Sequence, residues 1–315
     1  MSNKLFLGID TSNYTTSLSL SNEQGEVIAN IKQLLSVKEG DRGLRQSDAV
    51  FSHVKNFPEL AEQLKASVGD AKIAAVGVSS VPRDAEGSYM PCFLVGKAVA
   101  YTLAASHNAP IYEFSHQAGH IMAALYSSSA LEKLINQDFV AFHVSGGTTE
   151  ALYAKFNGKT FDVKIIGETA DISAGQAIDR AGVMMGLKFP CGKEIEALAN
   201  QFDGKLPKIK VSVTGGQCNL SGLENIVQKL YAQTGDKALV SAYVLEFVNK
   251  TLTKLTENIR EEYPNIPIVY AGGVMSNKRL QSSLAKFENT YFATPEFSAD
   301  NAAGISLLTH HNFNF

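Results

Sequence analysis

The feature that most constrains the fold is a pattern near the start of the chain that returns about 130 residues later. In both copies a segment of strand character leads into a turn of small residues and then into a second such segment. The copies occupy residues 7–20 and 142–153. An internal repeat of this length predicts two similar lobes, and the cleft between them is where we expect a ligand.

Length and composition are those of a folded protein with two hydrophobic cores. The chain has 315 residues, of which 45% are hydrophobic, and a formal net charge of −3. Without a long basic block, strong nonspecific binding of nucleic acid by this chain alone is not expected. Three dispersed cysteines favour a reducing compartment. Because no apolar run reaches membrane-spanning length, we expect a cytoplasmic protein without a membrane partner.

Apolar periodicity and turn residues predict an α/β fold with strands and helices in both lobes. The first lobe is expected at residues 1–134, joined by a C-terminal helix at 299–315, and the second at 135–298. The predicted strands are a meander at 4–34 and segments at 73–79, 111–114, 139–145, 149–156, 161–166 and 266–271. The predicted helices are 47–68, 93–106, one beginning at 115, 171–187, 236–262 and 299–310. Loops are predicted at 36–45 and 82–91.

Two histidines have the spacing of paired metal ligands. His116 and His120 lie four residues apart after Ser115, a plausible N-cap, so both imidazoles should share one helix face. Asp300, expected in the first turn of the last helix, could supply a third, oxygen ligand. The alternatives are two ordinary surface histidines and a carboxylate that stabilises a helix N-terminus.

Glycine pairs follow two predicted strands, at Gly146-Gly147 and at Gly272-Gly273. Small residues let backbone N–H groups approach a phosphate, and the second pair opens a predicted helix with Asn277 one turn in. A tight hairpin or close helix–strand packing would explain each pair equally well. Two such pairs in one chain favour a nucleotide site more than either does alone.

Asp179 is a carboxylate in a helix that is otherwise apolar or small. It could accept hydrogen bonds from ribose hydroxyls beside a glycine-lined wall. The alternative is a surface pair with Arg180, which would contribute little.

These residues, with others in the same order, resemble the TsaD/Gcp threonylcarbamoyl transferases, historically labelled O-sialoglycoprotein endopeptidases. The resemblance covers nearly the whole chain. The matching segments are residues 10–16, 116–120, 144–149, 175–180, 189–192, 220–223, 272–277 and 299–303.

The resemblance implies a two-lobed fold of the actin/hexokinase/Hsp70-like ATPases, built on duplicated ribonuclease H-like units. It implies an acyltransferase that moves the threonylcarbamoyl group from threonylcarbamoyl-AMP, an adenylate, to N6 of an adenosine beside the tRNA anticodon. One Fe²⁺ or Zn²⁺ would be held by His116, His120 and Asp300, and Asp10 would also belong to the catalytic site. The positions implied to hold the nucleotide are His143, Val144, Ser145, Gly146, Gly147, Thr148, Asp179, Gly192, Gly272, Gly273 and Asn277. Binding of tRNA would depend partly on partner subunits.

The sequence also departs from the family pattern. The acidic pair of the opening motif is Tyr14-Thr15 here, and the family's histidine after the glycine pair is Thr148. The loop at 82–91 is rebuilt, and Gln176 replaces a glutamate. These changes predict a divergent paralogue. Alternatives to the family reaction are therefore a nucleotide- and metal-binding carbamoyltransferase or ATPase with a non-tRNA acceptor, or a non-catalytic assembly partner.

Overall fold

The computed structural model describes residues 4–12, 14–36 and 44–314. Most of the predicted loop at 36–45 and Asn13 of the first turn lie outside the described residues. Contacts divide the chain into two compact units. The first comprises residues 1–127, 156–162 and 299–315, and the second comprises 128–155 and 163–298.

Strands and helices occur in both units. In chain order they are β1 (Lys4–Ser12), β2 (Thr15–Ser21), β3 (Val27–Leu34), α1 (Gln46–Val68), β4 (Lys72–Val81), α2 (Phe93–His107), β5 (Ile111–Ser115), α3 (His116–Ser127), α4 (Leu131–Leu134), β6 (Phe139–Val144), β7 (Thr149–Phe156), β8 (Phe161–Thr169), α5 (Ala174–Met184), α6 (Gly192–Ala199), β9 (Ser212–Thr214), β10 (Gln217–Asn219), α7 (Gly222–Thr234), α8 (Lys237–Glu262), β11 (Ile268–Ala271), a 3₁₀ helix (Gly273–Ser276), α9 (Lys278–Leu284), β12 (Thr290–Phe292), α10 (Pro295–Ser298) and α11 (Ala303–Asn314).

The first unit is built on a mixed sheet with the strand order β3-β2-β1-β4-β5. β1 pairs antiparallel with β2 and parallel with β4, and β4 pairs parallel with β5. Leucine, isoleucine and valine side chains of β1, β2 and β4 pack with Leu60 and Leu64 of α1 and Ala100 of α2. This core covers one face of the sheet, while the small residues of the other face receive α11.

Glycines bring α11 unusually close to its neighbours. A Cβ at Gly8 of β1 would lie 2.4 Å from the Ser306 backbone nitrogen. A Cβ at Gly304 of α11 would lie 1.8 Å from the Gly119 carbonyl oxygen of α3. Side chains cannot occupy such space, so α11 can cross both elements at this distance only because these positions are glycine. This close contact between α11 and α3 also fixes the position of residues 299–302, which precede α11, relative to α3.

The second unit is built on a sheet with the strand order β12-β11-β6-β7-β8-β10-β9. β6 and β7 form the antiparallel hairpin of the second repeat copy, and β11 joins β6 in parallel. Its core contains Val140 and Phe142 of β6, Ile178 of α5, and buried residues along α8 such as Val244 and Leu252. The carboxyl ends of β6 and β11 therefore lie side by side.

Most of the predicted strands and helices are confirmed within a few residues, but the last helix is corrected. It begins at Ala303 and not at residue 299. The side-chain Oδ1 of Asn301 accepts a hydrogen bond from Ala303 N at 3.0 Å. This capping interaction ends the preceding irregular segment and starts the helix. Asp300 therefore lies before the helix and not in its first turn.

Among the described residues, no helix is long and apolar enough to cross a membrane.

Asp171 joins the end of β8 to the start of α7, and it provides a test of this part of the fold. Its carboxylate accepts hydrogen bonds from Ile172 N, Leu220 N, and the N and Oγ of Ser221, at 2.6–3.1 Å. Burial alone would raise the pKa of Asp171, but these donors hold that pKa well below its ordinary value.

Since the pKa of Asp171 is depressed in the folded chain, its contribution to stability is present above pH ~4 and is lost as the pH falls below it. We expect Asp171→Asn to lower the free energy of unfolding by about 1 kcal/mol at pH 7 and to have a smaller effect at pH 3.5. Urea denaturation at both pH values measures this difference. Asp162→Asn is the control, because among the described residues the Asp162 carboxylate accepts a side-chain hydrogen bond only from Asn157 Nδ2. If both substitutions lower the free energy of unfolding equally, the hydrogen bonds to the Asp171 carboxylate do not provide the expected stabilisation.

Candidate metal centre and nucleotide-binding loops

The helix that bears the two histidines begins directly at the end of β5. Ser115 is the last residue of β5, and its Oγ accepts a hydrogen bond from Ala118 N at 3.1 Å, as expected of the predicted cap. The same hydroxyl donates to Asp84 Oδ2 at 2.6 Å, which ties the 82–91 loop to the start of α3. His116 is therefore the first residue of α3, and the hydrogen bonds of Ser115 to Ala118 and Asp84 fix the position of this helix start.

His116 and His120 lie one helical turn apart on the same face of α3. Their ring centroids are 4.3 Å apart, with the ring planes inclined by 72°. Both side chains are mostly buried. The predicted proximity of the two imidazoles is thus present in the structure.

Asp300 lies against this pair, although it is 180 residues away in sequence. Its Oδ1 is 3.3 Å from His120 Nε2 and 3.7 Å from His116 Nε2. The close crossing of Gly304 on Gly119 places the segment before α11 beside the first turn of α3. One ligand atom from each of the three residues can be chosen so that all lie within 4.8 Å of one another. Two imidazole nitrogens and a carboxylate oxygen at this separation suit Fe²⁺ or Zn²⁺ and leave coordination positions open.

Asp10, at the end of β1, orients the first of these imidazoles. Its Oδ2 lies 2.8 Å from His116 Nδ1, and its Oδ1 accepts a hydrogen bond from Ser12 N at 2.8 Å. Since a carboxylate can only accept, Nδ1 of His116 carries the proton, and Nε2 is the atom that faces Asp300. A ligand imidazole held by a carboxylate through its other nitrogen is the usual outer arrangement of protein metal sites. The donor set therefore fits a metal ion.

The charges at this centre stabilise each other. Burial alone would raise the pKa of Asp10 and Asp300, but the charge and hydrogen bonds of the histidines bring both below their ordinary values. For His116, burial acts to lower the pKa, but the charge and hydrogen bond of Asp10, with those of Asp300, raise it to about 10. The two carboxylates and His116 therefore compensate one another's charge within the cluster.

The first glycine pair lies in the turn between β6 and β7. The turn is closed by a hydrogen bond from Ser145 N to the Thr148 carbonyl at 2.8 Å. Gly146 and Gly147 are exposed, and a Cβ at either position would meet nothing within 4 Å. Within residues 4–12, 14–36 and 44–314, their N–H groups donate to no backbone carbonyl. These N–H groups are available to an anion, as the phosphate hypothesis requires.

The start of α5 packs tightly on this turn. Ser173 caps the helix in a capping box and also donates to the Gly146 carbonyl at 2.7 Å. A Cβ at Gly175 would lie 2.6 Å from Gly146 Cα. The turn is thus held rigidly against the helix that bears Asp179.

The second glycine pair follows β11. Gly272 has φ +102°, and a Cβ there would lie 2.2 Å from the Val144 carbonyl oxygen, so close packing on β6 requires glycine at this position. The prediction that a helix opens here with Asn277 one turn in is wrong in detail. The glycines lead into the short 3₁₀ helix, and Asn277 is instead the N-cap of α9, where Oδ1 accepts from Arg279 N and Leu280 N.

Asp179 and Gly192 meet at the start of α6. Asp179 Oδ1 accepts a hydrogen bond from Cys191 N at 2.7 Å, and burial raises the pKa of this carboxyl. Gly192 opens α6, with nothing within 4 Å of where its Cβ would lie. The alternative pair of Asp179 with Arg180 is not formed, because Arg180 pairs with Glu224 at 3.1 Å.

A further contact within the second unit joins the helix that Gly192 opens to the helix that Asn277 caps. α6 reaches α9 through a hydrogen bond from Lys278 N to Glu196 Oε1 at 3.0 Å. His143, the remaining predicted position, lies on β6 between its pairing partners Glu150 of β7 and Ala271 of β11. The glycine turn after β6, the start of α5 and Gly272 after β11 are therefore neighbours at the carboxyl ends of β6 and β11.

Two polar residues near the metal centre were missed from the sequence. His53 and Asn56 belong to the buried stripe of α1, whereas the neighbouring apolar residue Val54 is 57% exposed. The signal was present in the spacing, since Ala49, His53, Asn56 and Leu60 recur at intervals of three and four. A polar pair inside such a stripe marks a buried hydrogen-bonded site.

Tyr14 and Thr15, which stand where the family has an acidic pair, follow the end of β1 that carries Asp10. Tyr14 is 40% exposed, and Thr15, the first residue of β2, is buried.

Comparison with known proteins places these features in a family. A family model described as TsaD, tRNA N6-adenosine threonylcarbamoyltransferase, matches residues 26–307. A protein of that name from Streptococcus gordonii is 32% identical over 331 aligned positions, covering 100% of this chain and 94% of the relative. One from Streptococcus pneumoniae is 32% identical over 90% of this chain and 84% of its own length.

Solved structures show the fold. The activator of 2-hydroxyisocaproyl-CoA dehydratase from Clostridium difficile, solved with bound ADPNP, superposes with a TM-score of 0.55 at 14% identity, covering 99% of this chain and 96% of its own. Component A of (R)-2-hydroxyglutaryl-CoA dehydratase from Acidaminococcus fermentans gives 0.55 at 15% identity, with full coverage of both chains. The α/β fold is that of the actin/hexokinase/Hsp70-like ATPases, as the sequence predicted.

Proposed function

The chain belongs to the TsaD family of tRNA N6-adenosine threonylcarbamoyltransferases, and from this premise we propose that it carries out the family reaction with a bound metal ion. The substrates in this proposal are threonylcarbamoyl-AMP and a tRNA whose acceptor is N6 of an adenosine next to the anticodon. The active protein works in the cytoplasm with partner subunits that help to bind tRNA.

The observation that carries the proposal is the meeting of His116, His120 and Asp300 with Asp10 behind them. Three residues from two distant segments converge with ligand atoms within 4.8 Å of one another. A surface pair of histidines, the alternative from sequence, would need neither the buried carboxylate at Asp10 nor the glycine-dependent approach of Asp300.

The residues of the metal centre have two different roles in this proposal. His116, His120 and Asp300 would hold the ion, which when bound supplies a Lewis acid that polarises the carbamoyl carbonyl and keeps it in place for attack. Asp10 acts through His116, because it keeps the proton on Nδ1 and fixes the ring orientation. Asp10 is therefore a positioning residue in this proposal, and the three ligands are the catalytic residues.

The adenylate is assigned to the second unit. The available N–H groups of Gly146 and Gly147 would bind its phosphate, and Ser145 and Thr148 frame that turn. Asp179 would accept from the ribose hydroxyls. The other residues assigned to the adenylate site are His143, Val144, Gly192, Gly272, Gly273 and Asn277.

The proposal is tested by a transfer assay. The protein is mixed with threonylcarbamoyl-AMP and unmodified tRNA, with and without the partner subunits of a threonylcarbamoylation complex, and digested nucleosides are analysed by mass spectrometry. We expect threonylcarbamoyl-adenosine with the native protein. A family enzyme assayed in parallel shows that the substrates are competent. If that enzyme gives product and this protein gives none even with the partner subunits, the proposed reaction is overturned.

Tyr14 and Thr15 favour a second candidate, transfer to a non-tRNA acceptor, because the family's carboxylates are missing beside Asp10. Tyr14→Asp restores one of them at an exposed position. If this variant gains tRNA modification that the native chain lacks, the acceptor has changed in this protein. If neither modifies tRNA while adenylate still binds, a non-tRNA acceptor or an assembly role replaces the proposal.

Removing the charge behind His116 gives a further prediction. Asp10→Asn is expected to weaken Zn²⁺ binding by about 10–100-fold, the usual consequence of losing a carboxylate that orients a ligand imidazole. Competition with a chromophoric chelator measures the dissociation constant. Asp84→Asn is the matched control, since Asp84 contacts Ser115 beside His116. Equal affinities of the two variants would show that Asp10 does not support the metal centre.

A further inference from the structure

The segment that leads into β9 carries three lysines on the surface of the second unit. Lys205, Lys208 and Lys210 are all exposed. Residues 204–220 contain these three lysines and no aspartate or glutamate, so the segment has a formal charge of +3 in a chain whose net charge is −3. Nothing in the proposed reaction so far uses these side chains.

Packing of the intervening residues directs the lysines outward. Ile209, Val211 and Val213 are partly buried and pack against the core of the second unit. The residues between them are exposed, and this alternation is that of an extended chain, in which successive side chains point to opposite sides. Side chains two residues apart lie on the same side, about 7 Å from each other along such a chain. The outward row consists of Lys208, Lys210, Ser212 and Thr214.

β10 widens this row into a surface. β9 is the last strand of its sheet and pairs antiparallel with β10. Gln217 lies opposite Thr214, and Asn219 lies opposite Ser212, so the exposed amides of β10 stand beside the exposed hydroxyls of β9. We call the three lysines, together with the exposed polar residues of β9 and β10, the lysine surface.

The positive charge of the lysine surface is not neutralised within the described part of the chain. There, none of the three ammonium groups has a carboxylate within ion-pair distance. Asp171 touches the surface through Asn219 Nδ2 at 3.5 Å, but its oxygens already accept hydrogen bonds from Ile172, Leu220 and Ser221. The lysines are therefore available to an anionic partner.

Neighbouring cations, hydroxyls and amides suit the backbone of a nucleic acid. Lysine ammonium groups neutralise phosphates, and hydroxyl and amide side chains form hydrogen bonds with phosphate oxygens and sugars. An anionic membrane fits less well, because binding to a bilayer surface also uses apolar side chains, and no large hydrophobic residue is exposed within the described range 203–219. Three lysines neutralise only a few phosphates, which suits a protein that shares RNA binding with partner subunits.

We propose that the lysine surface binds the sugar–phosphate backbone of the tRNA that accepts the threonylcarbamoyl group. The identity of the RNA as a tRNA rests on the proposed function, whereas the contact of these lysines with RNA phosphates does not.

The first experiment compares two triple variants that remove the same amount of charge. In one variant, alanine replaces the three lysines of the lysine surface. In the control variant, alanine replaces Lys155, Lys229 and Lys250. The control lysines are also exposed in the second unit, lie on β7, α7 and α8, and form no ion pair among the described residues.

Binding of unmodified tRNA is measured by filter binding over a range of KCl concentrations, with the partner subunits present. Each neutralised phosphate contributes a factor of about 5–8 to the affinity at ~0.1 M salt. If two of the lysines contact phosphates, the alanine variant of the lysine surface binds tRNA about 30-fold more weakly at that salt concentration. The slope of log affinity against log salt concentration also becomes smaller by about 1.5. We expect the control variant, and a variant with arginine at the three positions of the lysine surface, to match the native protein.

The second experiment uses the transfer assay to separate tRNA binding from chemistry. Contacts with the tRNA backbone are the same before and during transfer, so their loss raises KM without lowering kcat. We expect the alanine variant of the lysine surface to show a KM for tRNA at least 10-fold higher. Its kcat and its KM for threonylcarbamoyl-AMP should equal those of the control variant.

The inference is overturned if the two alanine variants bind tRNA with equal affinity and equal salt dependence, or if the native protein with its partner subunits binds no tRNA. It is also overturned if loss of the three lysines abolishes binding to phosphatidylglycerol vesicles and leaves tRNA affinity unchanged. If the native protein binds tRNA through these lysines but transfers no threonylcarbamoyl group, the proposed function fails and the RNA-binding surface stands.

Discussion

His120→Ala is expected to reduce the iron and zinc content of the purified protein to background and to lower threonylcarbamoyl transfer by on the order of 1,000-fold. The imidazole supplies one of three ligand atoms, the others coming from His116 and Asp300, and its loss leaves a site with two ligands. A metal ion that polarises a carbonyl contributes several kcal/mol to transition-state stabilisation, which corresponds to this loss of rate. Elemental analysis and the transfer assay measure the two effects independently.

A stability measurement separates metal loss from misfolding. Added Zn²⁺ should raise the melting temperature of the native protein, because a ligand that binds only the folded state stabilises it. It should leave that of His120→Ala unchanged. His107→Ala, at an exposed histidine that ends α2, is the control and should behave as the native protein does. Unchanged metal content in His120→Ala would remove this residue from the site.

Local sequence rules predicted the parts of the site that lie close together in the chain. A spacing of four placed His116 and His120 on one face, and the serine before them caps the helix as expected. The glycine pairs after β6 and β11 were equally visible, because a strand followed by small residues needs no distant information. Asp300 was named as a candidate third ligand from its expected place at a helix start, and the resemblance supported that choice, which no periodicity could connect to α3.

Positions that depend on tertiary packing were harder to predict. The last helix starts at Ala303 because Asn301 caps it there, and apolar periodicity cannot distinguish that start from one four residues earlier. The three-residue strands β9, β10 and β12 were missed, since segments this short are defined by their pairing partners and carry little periodicity of their own. His53 was missed because its spacing on α1 defines one helix face, and only the packing shows that this face is the buried one.

Gly304→Ala should disrupt the metal centre without touching a ligand. The added Cβ would lie 1.8 Å from the Gly119 carbonyl oxygen and 2.6 Å from its carbonyl carbon, and both are backbone atoms that no rotamer change can move. α3 and α11 must separate, so Asp300 moves away from His120. We expect a loss of about 3 kcal/mol in the free energy of unfolding, at the upper end of overpacking effects, and a Zn²⁺ affinity at least 10-fold lower.

Gly222→Ala is the matched control for this substitution. Gly222 also lies at the start of a helix, and a Cβ there would meet nothing within 4 Å. Because alanine restricts the unfolded chain, this variant should be neutral or more stable by about 0.5–1 kcal/mol, with unchanged metal affinity. Urea denaturation and chelator competition on both variants give the comparison. If Gly304→Ala binds Zn²⁺ as tightly as Gly222→Ala, the approach of α11 to α3 does not position Asp300, and the geometric basis of the metal centre fails.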